Sequence, residues 1–232
     1  MKLRKTLTIA GLFFIILIVF GELILPSLAE GIAASRLAHK FDTREVEVSL
    51  SSSPRFELAF GHADDLSAVV RHAKIGGLRA QELKLSGHDA QLDCAALLQG
   101  KLRLEQGRDM TLLGTFDADG LREALAAKLK QADNLQVIIT DDNIVASAEV
   151  KVLGHKTGIS LSGRIVAEDG SLYFITDQLD AEESPFGSLH LGDAVGKIQL
   201  LKPEQMPLAM RVKRVEQQAG TIMVVAEEPV QD

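Results

Sequence analysis

Val46-Glu47-Val48-Ser49-Leu50-Ser51 sets an apolar side chain at every second position. Successive side chains of a strand point to opposite faces, so this stretch has one greasy face and one wet face, the mark of an antiparallel sheet. The same period returns along the chain. Phe56, Leu58 and Phe60 alternate with Glu57 and Ala59 across a Ser51-Ser52-Ser53-Pro54 turn. Leu83 and Leu85 alternate with Glu82, Lys84 and Ser86, Leu102 and Leu104 with Lys101, Arg103 and Glu105, and Ile159 and Leu161 with Ser160 and Ser162. Met210, Val212 and Val215 keep the pattern more loosely, because Lys213 and Arg214 both intervene. Turn signals separate the runs: Gly76-Gly77, Asp141-Asp142-Asn143, Asp169-Gly170 and Gly220. Asp169-Gly170, between Ile165-Val166 and Leu172-Tyr173-Phe174, predicts a hairpin.

Upstream of Val46 the period is helical. Leu28, Ile32, Ala33, Leu37 and Phe41 form one stripe on a helix read over Leu23 to Phe41 and interrupted at Pro26. A second helix starts after Asp117, a capping residue, and carries Leu121, Ala124, Leu125 and Leu129 on one side. Ala95 to Gln99 can form a short helical turn. Two or three helices therefore have to cover some nine strands. The pattern is α+β with no βαβ rhythm. Either the sheet curls on itself or part of its apolar face is left for something else to fill.

Farther upstream, Lys2, Arg4 and Lys5 precede an apolar run from Thr6 to Gly21, which Leu23, Ile24 and Leu25 extend past Glu22. The run is long for a signal peptide and close to a spanning helix. A lone carboxylate near the outer end of a span is tolerated. The expectation is a retained anchor over residues 1–25 with its basic end in the cytoplasm, a single domain over 26–228 outside it, and a tail over 229–232. Cleavage after Ser27-Leu28-Ala29, giving a secreted domain, is the alternative.

The leader holds three of the 25 basic residues and one of the 32 acidic ones, so residues 30–232 keep 22 basic and 31 acidic residues, a net charge of −9. Such a domain lacks the electrostatic footprint of a nucleic-acid binder. It is also repelled by an anionic bilayer, so lipid contact has to be apolar. Cys94 is alone and makes no intramolecular disulfide.

Motifs for chemistry are sparse. Asp117-Ala118-Asp119-Gly120 resembles the start of a calcium loop, but position 12 of that loop is Lys128 rather than glutamate, and a helix cap is the better reading. His39, His62, His72, His88, His155 and His190 make no H-x-x-x-H or H-x-H pair. They read as solvated or incidental, and no metal or cofactor site is expected. Asp64-Asp65, Glu182-Glu183 and Glu227-Glu228 are adjacent pairs that read as solvated charge rather than acid–base couples. Nucleophile-elbow, Walker and dinucleotide-binding motifs are missing from the sequence.

Leu25-Pro26-Ser27-Leu28-Ala29-Glu30-Gly31-Ile32-Ala33 resembles the opening helix of the LmeA-like family of bacterial phospholipid-binding proteins. Val46-Glu47-Val48, Gly77-Leu78 to Leu85, Gly114 to Leu121, Gly170-Ser171-Leu172 and Met206-Pro207-Leu208 to Val212 follow in the family's order. The resemblance spans residues 22–226. It departs at Pro54-Arg55-Phe56, with one residue inserted, and at Ala63 to Ser67, which replaces a more basic stretch. The resemblance implies a strongly curved antiparallel sheet wrapped around a long N-terminal helix, similar to tubular lipid-binding domains. It implies a non-enzymatic, extracytoplasmic protein that binds phospholipid acyl chains in envelope transport or maintenance. The lipid would lie between the helix stripe (Leu28, Ile32, Leu37) and Phe56, Leu58, Phe60, Leu121 and Leu125. The alternatives are an envelope scaffold with a fully packed core and, last, a hydrolase with a dispersed site.

Overall fold

The computed structural model describes residues 25–228 apart from 94, 97–98, 100–102, 130–131, 153–154 and 182–195. Among these the chain forms α1 (Leu25–Phe41), β1 (Val46–Ser51), a 3-10 helix (Arg55–Phe60), β2 (His62–Ile75), β3 (Leu78–Leu92) and β4 (Leu104–Asp117). There follow α2 (Ala118–Lys128), β5 (Ala132–Ile139), β6 (Ile144–Val152), β7 (His155–Glu168), β8 (Ser171–Ala181), β9 (Lys197–Leu201), β10 (Arg211–Gln218) and β11 (Thr221–Glu227). One sheet has the order β1-β2-β3-β4-β11-β10, the other β5-β6-β7-β8-β9. Pairing throughout the second sheet is antiparallel, as it is in β1–β2, β4–β11 and β10–β11. The mostly antiparallel α+β class read from the alternation is what the chain adopts.

The turns form where their residues allow. Gly76 and Gly77 both have positive φ (58° and 101°) between β2 and β3, and Asp169 and Gly170 (51° and 77°) between β7 and β8. Two consecutive positive φ values suit the type I′ geometry that matches strand twist, and glycine adopts them without steric cost. The β5–β6 and β10–β11 connections fall at Asp141 to Asn143 and at Gly220, as expected.

Three long strands contain extra residues. Burial in β2 runs in phase through Leu66, Ala68 and Val70 and resumes out of phase at Ala73 and Ile75. Beside that slip, His72 has φ 52°. β3 slips between Gly87 and Ala90 beside Asp89 (φ 46°), and β4 between Gly107 and Met110 beside Asp109 (φ 51°). An extra residue with a left-handed backbone is the signature of a β-bulge, which bends the strand and increases its twist. His, Asp and Asn are the side chains that tolerate this conformation best. The slack around Lys213 is also a bulge: Val212 pairs with Ala226 and Arg214 with Val225, leaving Lys213 unpaired.

Two expectations need correction. Residues 55–60 are a 3-10 helix rather than a strand. Pro54 leads in with an extended backbone, Glu57 N–H donates to the Pro54 carbonyl (3.2 Å), and Gly61 N–H to the Leu58 carbonyl (3.1 Å). Gly61 ends the turn at φ 81°. A five-residue apolar–polar alternation does not distinguish two tight turns from a strand. The second correction concerns the course of the first helix: α1 covers seventeen residues, Leu25–Phe41. The expected interruption at Pro26 does not occur: the helix runs unbroken from Leu25 through Pro26, because a proline in the first turn gives up no intrahelical N–H bond. Leu23, Ile24 and the rest of residues 1–24, and with them the anchor, lie outside the described residues. Among the described residues no helix is long and apolar enough to cross a membrane. Cys94 and the Glu182-Glu183 pair are also outside them, while Gln99 N–H donates to the Ala95 carbonyl (3.3 Å), consistent with the expected short turn.

The chain divides into two compact units, residues 1–40, 44–70 and 85–110, and residues 41–43, 71–84 and 111–232. In the second unit α2 packs on β5 and β9, and β10 packs on β7 and β8. Leu78, Leu121, Leu125, Ile144, Leu172, Phe174, Leu201, Met210 and Ile222 are almost wholly buried there. Val212 N–H donates to the Gly170 carbonyl (3.0 Å), so the tip of the β7–β8 hairpin is tied to the start of β10. Asp117 caps α2 as expected: its Oδ1 accepts from Gly120 N–H (2.8 Å) and its Oδ2 from the Gln81 side-chain amide (2.9 Å). Oδ1 thus caps the helix, and Oδ2 ties the cap to Gln81 of β3. Replacing Asp117 by Ala should cost about 1–2 kcal/mol in urea unfolding, and Asp117→Asn, which still offers an oxygen, much less.

Candidate functional site

In the first unit the helix stripe splits. Ala33, Leu37 and Phe41, each one turn from the next, are buried, though Phe41 itself belongs to the second unit. Leu28 and Ile32, also one turn apart, are 52% and 40% exposed. The 3-10 helix divides similarly: Leu58 is buried, while Phe56 and Phe60 are 51% and 71% exposed. An i, i+4 step on α1 brings residues back to one face, so Leu28 and Ile32 present an uncovered apolar patch beside the packed one.

Polar contacts fix both elements. The Glu30 carboxylate accepts from Leu50 N–H (3.0 Å). β1 is an edge strand of its sheet, and an edge leaves backbone groups without ladder partners. Glu30 supplies one such partner and ties α1 to β1, which gives the Leu-Ala-Glu motif a physical role. At the 3-10 helix, the Gln91 side chain donates to the Phe60 carbonyl (2.8 Å) and Leu92 N–H to the Gly61 carbonyl (2.7 Å). The turn is thereby pinned to β3, with Phe56 and Phe60 outside.

The eight residues expected to line the site therefore occupy three environments. Leu28, Ile32, Phe56 and Phe60 are exposed in the first unit, Leu37 and Leu58 are core of that unit, and Leu121 and Leu125 are core of the second. The periodicity that selected them reports apolar faces and is blind to which faces are covered.

One cluster was missed. His62 Nε2 lies 3.2 Å from Asp64 Oδ1 and 3.8 Å from Glu57 Oε2. The single ligand atoms offered by these three half-buried residues all lie within 4.8 Å of one another. A search for paired histidines passes over it, because it has one histidine and its first member sits on a 3-10 turn read as a strand. His88 is also engaged, with Nδ1 2.7 Å from Asp65 Oδ1, and the Ser51 hydroxyl donates to Asp65 Oδ2 (3.1 Å). Asp64 and Asp65 thus serve different partners, as adjacent strand positions must.

A family model described as LmeA-like phospholipid-binding matches residues 20–227. Neither the curated proteins nor the solved structures include a match to the chain. The match covers most of the sequence, and the chain belongs to that family.

Stability should separate core from surface among these side chains. Leu37→Ala and Leu58→Ala should each cost about 2–5 kcal/mol, whereas Phe56→Ser and Phe60→Ser should stay within about 0.5 kcal/mol in denaturant titrations. Glu30→Ala should cost about 1 kcal/mol and raise hydrogen exchange at the Leu50 amide.

Proposed function

We propose that this member of the LmeA-like phospholipid-binding family is a non-enzymatic binder of phospholipid acyl chains and that the lipid is met by Leu28, Ile32, Phe56 and Phe60. The observation that carries this is the uneven distribution of apolar side chains. Among the described residues, the nine largest fully buried side chains all lie in the second unit, and four of the five exposed large hydrophobics lie in the first. Scattered exposed apolar residues are ordinary, but large ones gathered on two elements of one unit point to an interaction surface.

The site sits close to the proposed anchor. If residues 1–25 span the membrane as a helix continuous with α1, Ile32 lies about 10 Å beyond the exit at 1.5 Å per residue. The acidic charge of the chain outside the leader gives no attraction to anionic headgroups, so hydrophobic burial is the driving term, about 1.5–3 kcal/mol for each large side chain covered. In this reading the domain works on the extracytoplasmic side in envelope lipid transport or maintenance.

Photoactivatable phospholipid, fed to cells expressing the full chain and mapped by peptide mass spectrometry, tests the site. Adducts on residues 27–32 and 55–60 are expected, with Phe60→Ser lowering the yield about tenfold, the equivalent of 1.4 kcal/mol. Adducts confined to residues 1–25 would report only the anchor in its bilayer and would sink the proposal, as would none. The anchor has its own test: the mature chain should begin at its original N-terminus and stay in the membrane through alkaline carbonate extraction.

A further inference from the structure

We propose that Glu57, His62 and Asp64 form a site for a divalent transition-metal ion of the zinc class. The inference is independent of lipid binding and rests on how the chain returns on itself. The 3-10 helix carries Glu57 and ends at Gly61, whose positive φ of 81° turns the backbone directly into β2. His62 and Asp64 open β2 two residues apart, on one face of the strand. Donors from two elements thereby converge within eight residues of sequence.

The distances suit a shared ion. Donors about 2.1 Å from a tetrahedral or octahedral ion stand roughly 3.0–3.5 Å from one another. His62 Nε2 is 3.2 Å from Asp64 Oδ1 and 3.8 Å from Glu57 Oε2, so closing the set needs only side-chain adjustment. The charges point the same way: two carboxylates face a single imidazole, which supplies at most one positive charge. An imidazole nitrogen with two carboxylate oxygens selects zinc or manganese over calcium, which prefers all-oxygen sets. Three protein ligands leave a coordination position for water.

The surroundings hold the donors in place. Ser53 N–H donates to Asp64 Oδ2 (2.7 Å), leaving Oδ1 directed at His62, the kind of outer contact that orients metal ligands.

The test is calorimetric titration of the full chain in detergent micelles with Zn²⁺, Mn²⁺ and Ca²⁺. One Zn²⁺ per chain is expected, with Ca²⁺ at least tenfold weaker. His62→Ala, Asp64→Asn and Glu57→Gln should each weaken Zn²⁺ binding at least tenfold while circular dichroism stays unchanged. The affinity should fall as the pH is lowered, because imidazole and carboxylate bind metal deprotonated. A variant-free measurement stands beside this: in long-range proton–nitrogen spectra of the wild type, Zn²⁺ should shift His62 selectively among the six histidines. No binding, binding that survives all three substitutions, or a shift at other histidines instead of His62 would overturn the assignment.

Discussion

The first sheet has to keep one face apolar along strands of fourteen and fifteen residues while absorbing extra residues, and its other features follow from that requirement. Alternation would fail after each insertion if the backbone did not reset it. A residue in the left-handed region does so: it consumes one position, and the next apolar side chain returns to the buried face. His72, Asp89 and Asp109 perform this reset in three strands that are consecutive in the sheet order. In the second sheet Asn134 (φ 54°) lies within the register shift between Asp133 and Gln136. Three of these four residues are Asp or Asn, whose short polar side chains make the conformation least costly for a residue with a Cβ.

The same device explains what the sequence revealed and what it hid. Hairpin positions were legible because Gly76-Gly77, Asp169-Gly170 and Gly220 carry the residues that positive φ demands. The α2 start was legible because an Asp at the N-cap has a specific partner, here Gly120 N–H. Strand lengths were not legible. Leu83 and Leu85 read as one short run because the phase breaks on both sides of them, yet they belong to a fifteen-residue strand. An aspartate inside a strand reads as a turn signal until a partner strand shows that it is a bulge. Residues 56–60 failed for the opposite reason: an alternation short enough to satisfy two geometries was assigned to the commoner one.

The apolar residues of the candidate site were selected by their periodicity, which says nothing of their environments. Leu28, Ile32, Phe56 and Phe60 were selected for the same periodicity as Leu37, Leu58, Leu121 and Leu125, and only packing separates an exposed four from a buried four. Periodicity measures which way a side chain points relative to its own element. Whether a second element covers it depends on partners far away in sequence. The Glu57–His62–Asp64 cluster escaped for a related reason, since its geometry depends on Gly61 reversing the chain, and a spacing rule drawn from regular helices or strands cannot express that reversal.

Glu30 connects the fold to the proposed activity. Its carboxylate ties α1 to the edge of the sheet through the Leu50 amide, and it lies between Leu28 and Ile32 in sequence. A helix held at this point keeps Ala33 and Leu37 packed whatever happens to the exposed face. On the proposed reading, Leu28 and Ile32 meet an acyl chain without their own element having to reorganise, so little of the burial energy is spent on ordering the protein. Phe56 and Phe60 are held in the same manner, by Gln91 and Leu92 on the backbone of their turn rather than by their own rings. In both elements the fixing contact is a hydrogen bond to the backbone or a neighbouring carboxylate, and the apolar side chains are left free of structural duty. That division suits the lipid-exchanging surface proposed above: the exposed residues contribute little to folding, and contacts with them would be made and lost without cost to the scaffold.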